Sequence, residues 1–212
     1  MKNTQQDAQK RVVVLDHFDS FTYNVVTAFE RLGATVHVFR TDTDIREIAD
    51  ACPTHLVLSP GPGHPRDVSL FEQALTELKE QVPILGICLG EQAIGLHFGA
   101  EVGLAPVPMH GKTSLVFHED EQGLFEGIPN AFQACRYHSL AVNHKRIDPK
   151  RLKVTAECKD GTVMAIQSVT YPTVVGVQFH PESLFTEYGE KLLENFLKLQ
   201  KAEKVSSGYH NE

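Results

Sequence analysis

The sequence predicts an α/β fold, an open, mostly parallel central sheet flanked by helices, with additional mixed or antiparallel strands in the C-terminal half. Up to Gly99, short apolar runs rich in β-branched residues alternate with amphipathic stretches, the pattern of parallel strands joined by crossover helices. Those runs lack the polar alternation of a half-exposed strand, so they read as buried on both faces. From Glu101 onward the texture changes to short strand-like segments separated by turn residues, as expected of mixed or antiparallel pairing.

Val12 to Leu15, ending in Asp16, reads as a central strand. Asp19 and Ser20 then offer N-cap side chains, Phe21, Val25, Phe29 and Leu32 recur at helical spacing, and Gly33 supplies a stop. Thr35 to Phe39 is the second strand, Asp44 to Ala51 a short helix and His55 to Leu58 the third strand, which runs into Ser59-Pro60-Gly61-Pro62-Gly63. Leu70 to Glu80 follows as a helix with Leu70, Ala74, Leu75 and Leu78 inward, then Ile84 to Ile87 as a buried strand and Gln92 to Phe98 as a helix. The later strands are Thr113 to Phe117, Ala131 to Tyr137, Leu152 to Cys158, Val163 to Ile166 and Val174 to Phe179. A final helix from Glu187 to about Lys201 carries Leu192, Leu193, Phe196 and Leu197 on one stripe. Without repeats or a low-complexity linker, residues 11–200 read as one domain between a polar arm at 1–10 and a polar tail at 201–212.

Bulk properties exclude several functions. The chain has 212 residues, 42% of them hydrophobic and 22% charged, enough for a substantial core. Its net charge of −7, without a Lys/Arg run longer than two, argues against nucleic acid as a partner. No apolar stretch approaches the roughly 20 residues needed to span a bilayer, and Met1 to Lys10 is polar rather than signal-like, so a cytoplasmic protein without membrane contact is expected. Cys52, Cys88, Cys135 and Cys158 form no C-x-x-C pair, and three of them are expected to be buried apolar filler. The eleven histidines show no zinc-ligand spacing, so neither a metal nor a cofactor is expected.

In an open parallel sheet, ligands bind at the carboxyl ends of the strands, where the loops after Leu58, Ile87 and Phe179 converge. Gly86-Ile87-Cys88-Leu89-Gly90 has the logic of a nucleophile elbow: a sharp strained turn needs small neighbours, and the next helix aims its N-terminus at the thiol. Such a positive end favours the thiolate, and the amide of Leu89 is placed to stabilise an oxyanion. His180-Pro181-Glu182 supplies a base and, two residues on along an extended chain, a carboxylate to orient it. Gly61 can bring a second amide close to a ligand. Read alone, each of the three loops also fits a plain turn or a solvated strand end; their conjunction points to a Cys-His-Glu triad.

The chain resembles the triad, or class I, glutamine amidotransferases, whose domain is flavodoxin-like, and within them the small subunits of anthranilate synthase and aminodeoxychorismate synthase. The resemblance runs from about Val12 to Leu199 and is carried by LDHFDSFTYN, LSPGPGHP, GICLGEQ, MHGKTS, RYHSLAV and GVQFHPES followed by GEKLLENFL. It implies that Cys88 attacks the side-chain amide of L-glutamine to give a γ-glutamyl thioester and ammonia, with His180 moving the proton and Glu182 orienting it. Gly61 and Leu89 would form the oxyanion hole, and Gly61, Pro62, Gly63, Gln92, Ser139 and Leu140 would hold the substrate. It further implies a large chorismate-binding subunit that receives the ammonia, with Asp19, Ser20, Tyr23, His110, Gly111, Lys112 and Thr113 as docking surface. The acceptor stays open between anthranilate and aminodeoxychorismate, with a slight lean to the second.

The chain departs from the family's pattern in three places. Glu91 stands where histidine is usual and is expected to face outward; Asp16-His17 replaces Asp-Asn; Ser69 replaces a frequent glycine. Alternatives are a free-standing γ-glutamyl hydrolase or peptidase and a non-catalytic glutamine-binding module, the latter disfavoured because all three triad positions are filled.

Overall fold

A computed structural model describes residues 9–119 and 122–201. The expected arm, apart from Gln9 and Lys10, and the expected tail, apart from Lys201, lie outside the described residues. In chain order the elements are β1 (Arg11–Asp16), α1 (Thr22–Arg31), β2 (Thr35–Arg40), α2 (Ile45–Asp50), β3 (His55–Leu58), α3 (Ser69–Leu78), β4 (Ile84–Ile87), α4 (Leu89–His97), β5 (Val102–His118), β6 (Phe132–Val142), β7 (Leu152–Cys158), β8 (Val163–Ser168), β9 (Val174–Val177) and α5 (Gly189–Lys198).

The strands form one sheet in the order β2-β1-β3-β4-β9-β8-β7-β5-β6. The first five are parallel, as the apolar runs predict, and every pairing from β9 outward to β6 is antiparallel. The last strand in sequence therefore lies at the centre. β9 pairs with β4 in a register that sets Ile87 beside Val177, so the loops that leave these two strands begin side by side.

Helices cover both faces of the parallel half. Val12, Val14 and Val57 face Val25 and Phe29 of α1 and Leu192, Leu193 and Phe196 of α5. Val13, Leu15, Leu56 and Leu58 face Ile48 of α2, Leu70, Phe71 and Leu75 of α3, and Ala93 and Ile94 of α4. Consecutive residues of one strand thus enter different cores, which is why the runs show no alternation of polarity.

Several boundaries differ from expectation. β5 runs for 17 residues rather than five, with register shifts between Leu104 and Met109 and between His110 and Lys112, where Pro106, Pro108 and Gly111 interrupt a regular ladder. β6 extends to Val142, so Ser139 and Leu140 sit on a strand. α4 starts at Leu89, not Gln92, immediately after the elbow. The N-cap position of α1 is Phe21, without a side-chain cap; Asp19 instead accepts the Phe21 amide at 2.6 Å, and Asp16 accepts the Thr22 hydroxyl at 2.7 Å.

Candidate active site

β4 runs into Cys88, whose φ of 53° and ψ of −101° lie in a region that L residues rarely occupy. The turn closes because its flanks are small. A Cβ on Gly90 would stand 2.7 Å from Leu58 Cβ and 2.8 Å from the Leu58 carbonyl carbon, so no side chain fits between α4 and β3. The Cys88 amide donates to the Val177 carbonyl at 2.8 Å, tying the elbow to β9, and the Cys88 carbonyl accepts the first-turn amide of Gln92 at 3.1 Å. Cys88 is 6% exposed.

Three residues beyond Val177, His180 is fixed by its own backbone: its amide donates to the Cys135 carbonyl at 3.0 Å, and its carbonyl accepts the Thr186 hydroxyl at 2.6 Å. Its Nδ1 lies 2.6 Å from Glu182 Oε1, both side chains being buried. A carboxylate can only accept, so Nδ1 keeps its proton and Nε2 is the nitrogen that gains or loses one. Nε2 is buried and makes no hydrogen bond of regular geometry. Burial opposes charge on the imidazole, but the neighbouring Cys88 sulphur and the Glu182 carboxylate outweigh it, and the His180 pKa is raised to about 10. Cys88 and the His180–Glu182 pair, distant in sequence, are thus brought together.

The Gly61 loop closes over the elbow. A Cβ on Gly61 would lie 2.8 Å from Leu89 Cδ2 and 2.9 Å from the His17 carbonyl oxygen, so only glycine lets this backbone approach the start of α4. Ser59 braces the loop, accepting the His17 amide at 3.0 Å and donating to the Pro60 carbonyl at 2.6 Å. Gln92 is buried, and its Nε2 donates to the Leu140 carbonyl at 3.0 Å and to Gln178 Oε1 at 2.9 Å. Gly61 and Leu89 are therefore in contact, as are Gln92 and Leu140. Pro62, Gly63 and Ser139 are exposed instead.

The surroundings of His180 include residues that sequence reasoning passed over. Phe21 and Tyr137 present ring edges to the imidazole, with centroids at 5.7 and 5.3 Å, and touch each other at 5.1 Å. His110 packs on Tyr137 at 5.5 Å. Asp19, half-buried, has its carboxyl raised by burial and feels the charges of His180 and Glu182. The segments expected to dock a partner thus border the imidazole, with Ser20, Tyr23, Gly111, Lys112 and Thr113 exposed. Leu184 and Phe185, just beyond Glu182, are exposed apolar side chains. Arg136, His138 and Gln178 were also missed; the signal was a pair of polar residues two apart in an otherwise apolar strand, Arg136 with His138 on β6 and Gln178 with His180 after β9.

Two expectations are corrected. Glu91 does not face outward: it is fully buried, because α4 begins at Leu89 and turns position 91 onto β9, where Gly176 leaves room for it. Cys52 is exposed rather than buried filler, at a left-handed φ of 47° just after α2, while Cys135 and Cys158 are buried. Among the described residues no group of three or more His, Cys, Asp or Glu converges as metal ligands do, and no helix is long and apolar enough to cross a membrane.

This fold, with a cysteine elbow facing a His-Glu pair, is accompanied by a match to the family profile of class-I glutamine amidotransferases over residues 13–199, and the chain belongs to that family. It is 44% identical over 188 residues to anthranilate synthase component 2 of Azospirillum brasilense, covering 88% of this chain and 94% of the relative. It is 42% identical over 187 residues to the protein of the same name from Porphyra purpurea, covering 88% and 98%. The bifunctional protein TrpGD of Thermotoga maritima is 43% identical over 194 residues, 90% of this chain but only 32% of that protein, so the chain spans about a third of it. Among solved structures, a putative GMP synthase subunit from Thermoplasma acidophilum superposes with a TM-score of 0.79 at 26% identity, covering 90% of this chain and 93% of the other.

Proposed function

We propose that the chain is the glutamine-hydrolysing subunit of a chorismate-aminating synthase, with Cys88 as nucleophile, His180 as base and Glu182 as the group that orients it. The observation that carries this reading is the His180 imidazole held at 2.6 Å by Glu182 while its other nitrogen stays unbonded in the surroundings of Cys88. Cys88 gives its proton to His180 Nε2 and attacks the side-chain amide carbon of L-glutamine. The amides of Leu89 and Gly61 donate to the oxyanion that forms. His180 returns the proton to the leaving nitrogen, which departs as ammonia and leaves a γ-glutamyl thioester on Cys88. Water then attacks the thioester, losing its proton to His180; glutamate leaves and the thiol is restored. Gln92, Ser139, Leu140 and the Gly61-Pro62-Gly63 loop hold the amino acid.

Ammonia in neutral water is mostly ammonium, which is not nucleophilic, so the product needs a sheltered acceptor. The docking surface, comprising Asp19, Ser20, Tyr23 and His110 to Thr113, lies next to the imidazole through Phe21 and Tyr137, which suits a large subunit sealed over the mouth of the site. The names of the relatives favour anthranilate over aminodeoxychorismate as the product, against the slight lean drawn from sequence alone. The test is co-purification with the large chorismate-binding subunit, followed by identification of the aminated product. Cys88→Ser is expected to abolish glutamine-dependent amination and to spare amination with added ammonium salts; loss of both activities overturns the division of labour.

A further inference from the structure

β6 carries a fully buried arginine that the triad does not use. Arg136 Nη1 donates to Ser114 Oγ at 3.1 Å and pairs with Asp160 Oδ2 at 3.2 Å, Nη2 donates to Thr162 Oγ1 at 3.1 Å, and Nε donates to His138 Nε2 at 3.0 Å. A guanidinium has no acceptor, so His138 Nε2 must offer its lone pair and the ring proton must sit on Nδ1. That Nδ1–H donates to the Leu140 carbonyl at 2.9 Å. Burial first, and then the Arg136 charge, lowers the His138 pKa to about 4, so the ring is neutral, as this bonding requires.

The Leu140 carbonyl takes its second hydrogen bond from Gln92 Nε2, whose other hydrogen goes to Gln178 Oε1. The reverse orientation of the Gln92 amide would set two acceptors against each other at Leu140. Both hydrogens of the nitrogen are therefore committed within the protein, and Oε1 is the Gln92 atom left for a ligand. An amide oxygen only accepts, so its complement on a bound amino acid is the α-ammonium and not the α-carboxylate.

We propose that Arg136 and His138 are positioning residues for the substrate pocket: they fix the Leu140 carbonyl, and through it the Gln92 amide, so that Gln92 Oε1 receives the α-ammonium of glutamine. This rests on the glutaminase reading above. Without the His138 donor the Leu140 carbonyl keeps only its bond from Gln92, so the amide is held less firmly in this orientation, which weakens recognition of the amino group while leaving the thiol in place.

The experiment is covalent labelling of Cys88 in the purified full chain with three probes: a chloroketone analogue of L-glutamine, its desamino counterpart and iodoacetamide. His138→Gln keeps an acceptor for Arg136 but places no donor at Leu140, whereas the amide nitrogen of His138→Asn stands where Nδ1 stood. In His138→Gln the half-saturating concentration of the chloroketone is expected to rise about tenfold, the loss of roughly one well-made hydrogen bond. Its limiting rate, and labelling by the desamino probe and by iodoacetamide, should stay within about twofold, and His138→Asn should restore the chloroketone value. Equal chloroketone labelling of wild type and His138→Gln, or an equal loss with all three probes, overturns the proposal. Labelling of the wild type by iodoacetamide but not by the chloroketone overturns the glutaminase reading, and this inference with it. If neither His138 variant folds, Arg136→Lys, which keeps the charge for Asp160 but not the Nε–H for His138, is held to the same outcomes.

Discussion

Glu91 and Gly176 pack directly against each other: a Cβ placed on Gly176 would stand 2.7 Å from Glu91 Cγ and 3.0 Å from its Cα. The glutamate side chain fills the space a residue on β9 would otherwise take. Both of its carboxyl oxygens are buried without a hydrogen-bond partner, and burial raises its pKa well above the ordinary value. A charged carboxylate in such a place is costly, so the group is held as a neutral acid three residues from Cys88.

That protonation state predicts how stability responds to pH. A carboxyl whose folded-state pKa is raised contributes stability that is fully present below its unfolded value, near 4.5, and is lost as pH climbs toward the folded value, because the folded state binds the extra proton. Across that window the wild type should lose up to about 1.4 kcal/mol per pH unit relative to Glu91→Gln, which has no proton to lose. Urea midpoints at pH 5, 6.5 and 8 are expected to show a difference between the two proteins that widens in favour of the variant. A constant difference would mean that Glu91 is not held neutral by burial.

His180 responds in a different window. Its pKa, raised to about 10 against burial by Cys88 and Glu182, gives stability that is complete below about 6.5 and disappears as pH rises through about 10. Glu182→Gln removes one source of that rise, so imidazole titration followed by NMR should move His180 to lower pH, and the alkaline loss of stability should begin earlier. Glutamine hydrolysis is expected to fall by about 10⁴-fold, the loss that follows when the orienting carboxylate of a triad becomes an amide. An unchanged His180 titration in the variant would remove Glu182 from its assigned role.

The grouping of Cys88, His180 and Glu182 was legible in the sequence because each sits where a strand runs into a loop, and apolar runs such as Ile84 to Ile87 and Val174 to Val177 announce such strands. Their register was not legible: nothing in the chain order says that β9 returns to lie beside β4, and it is that return which brings His180 to Cys88. The same gap explains Glu91. Its direction depends on where α4 starts, and the glycines that permit the elbow also hide the first helical residues from a reading based on apolar spacing. The long β5 was read as a short strand because prolines and a glycine break its pattern, although a bulged strand tolerates them. Arg136 and His138 escaped because a buried polar network depends on partners as remote as Asp160 and Gln92, whereas periodicity reports only neighbours.

Tyr23 allows the proposed docking surface to be tested apart from the chemistry. It stands on the first turn of α1, 68% exposed, two residues from the Phe21 ring that flanks His180. An exposed tyrosine makes few contacts within its own chain, so Tyr23→Ala should change the stability of the isolated subunit by no more than about 0.5 kcal/mol. At an interface an aromatic side chain of this size is a common centre of binding energy, and its truncation should weaken association with the large subunit by about tenfold or more, which is ~1.4 kcal/mol. Calorimetric titration of the two subunits measures that loss, and glutamine hydrolysis by the isolated chain should stay within about twofold, since Tyr23 reaches no group of the triad. An unchanged affinity would shift the proposed docking surface away from α1, toward the exposed Leu184 and Phe185 that follow Glu182 in the chain.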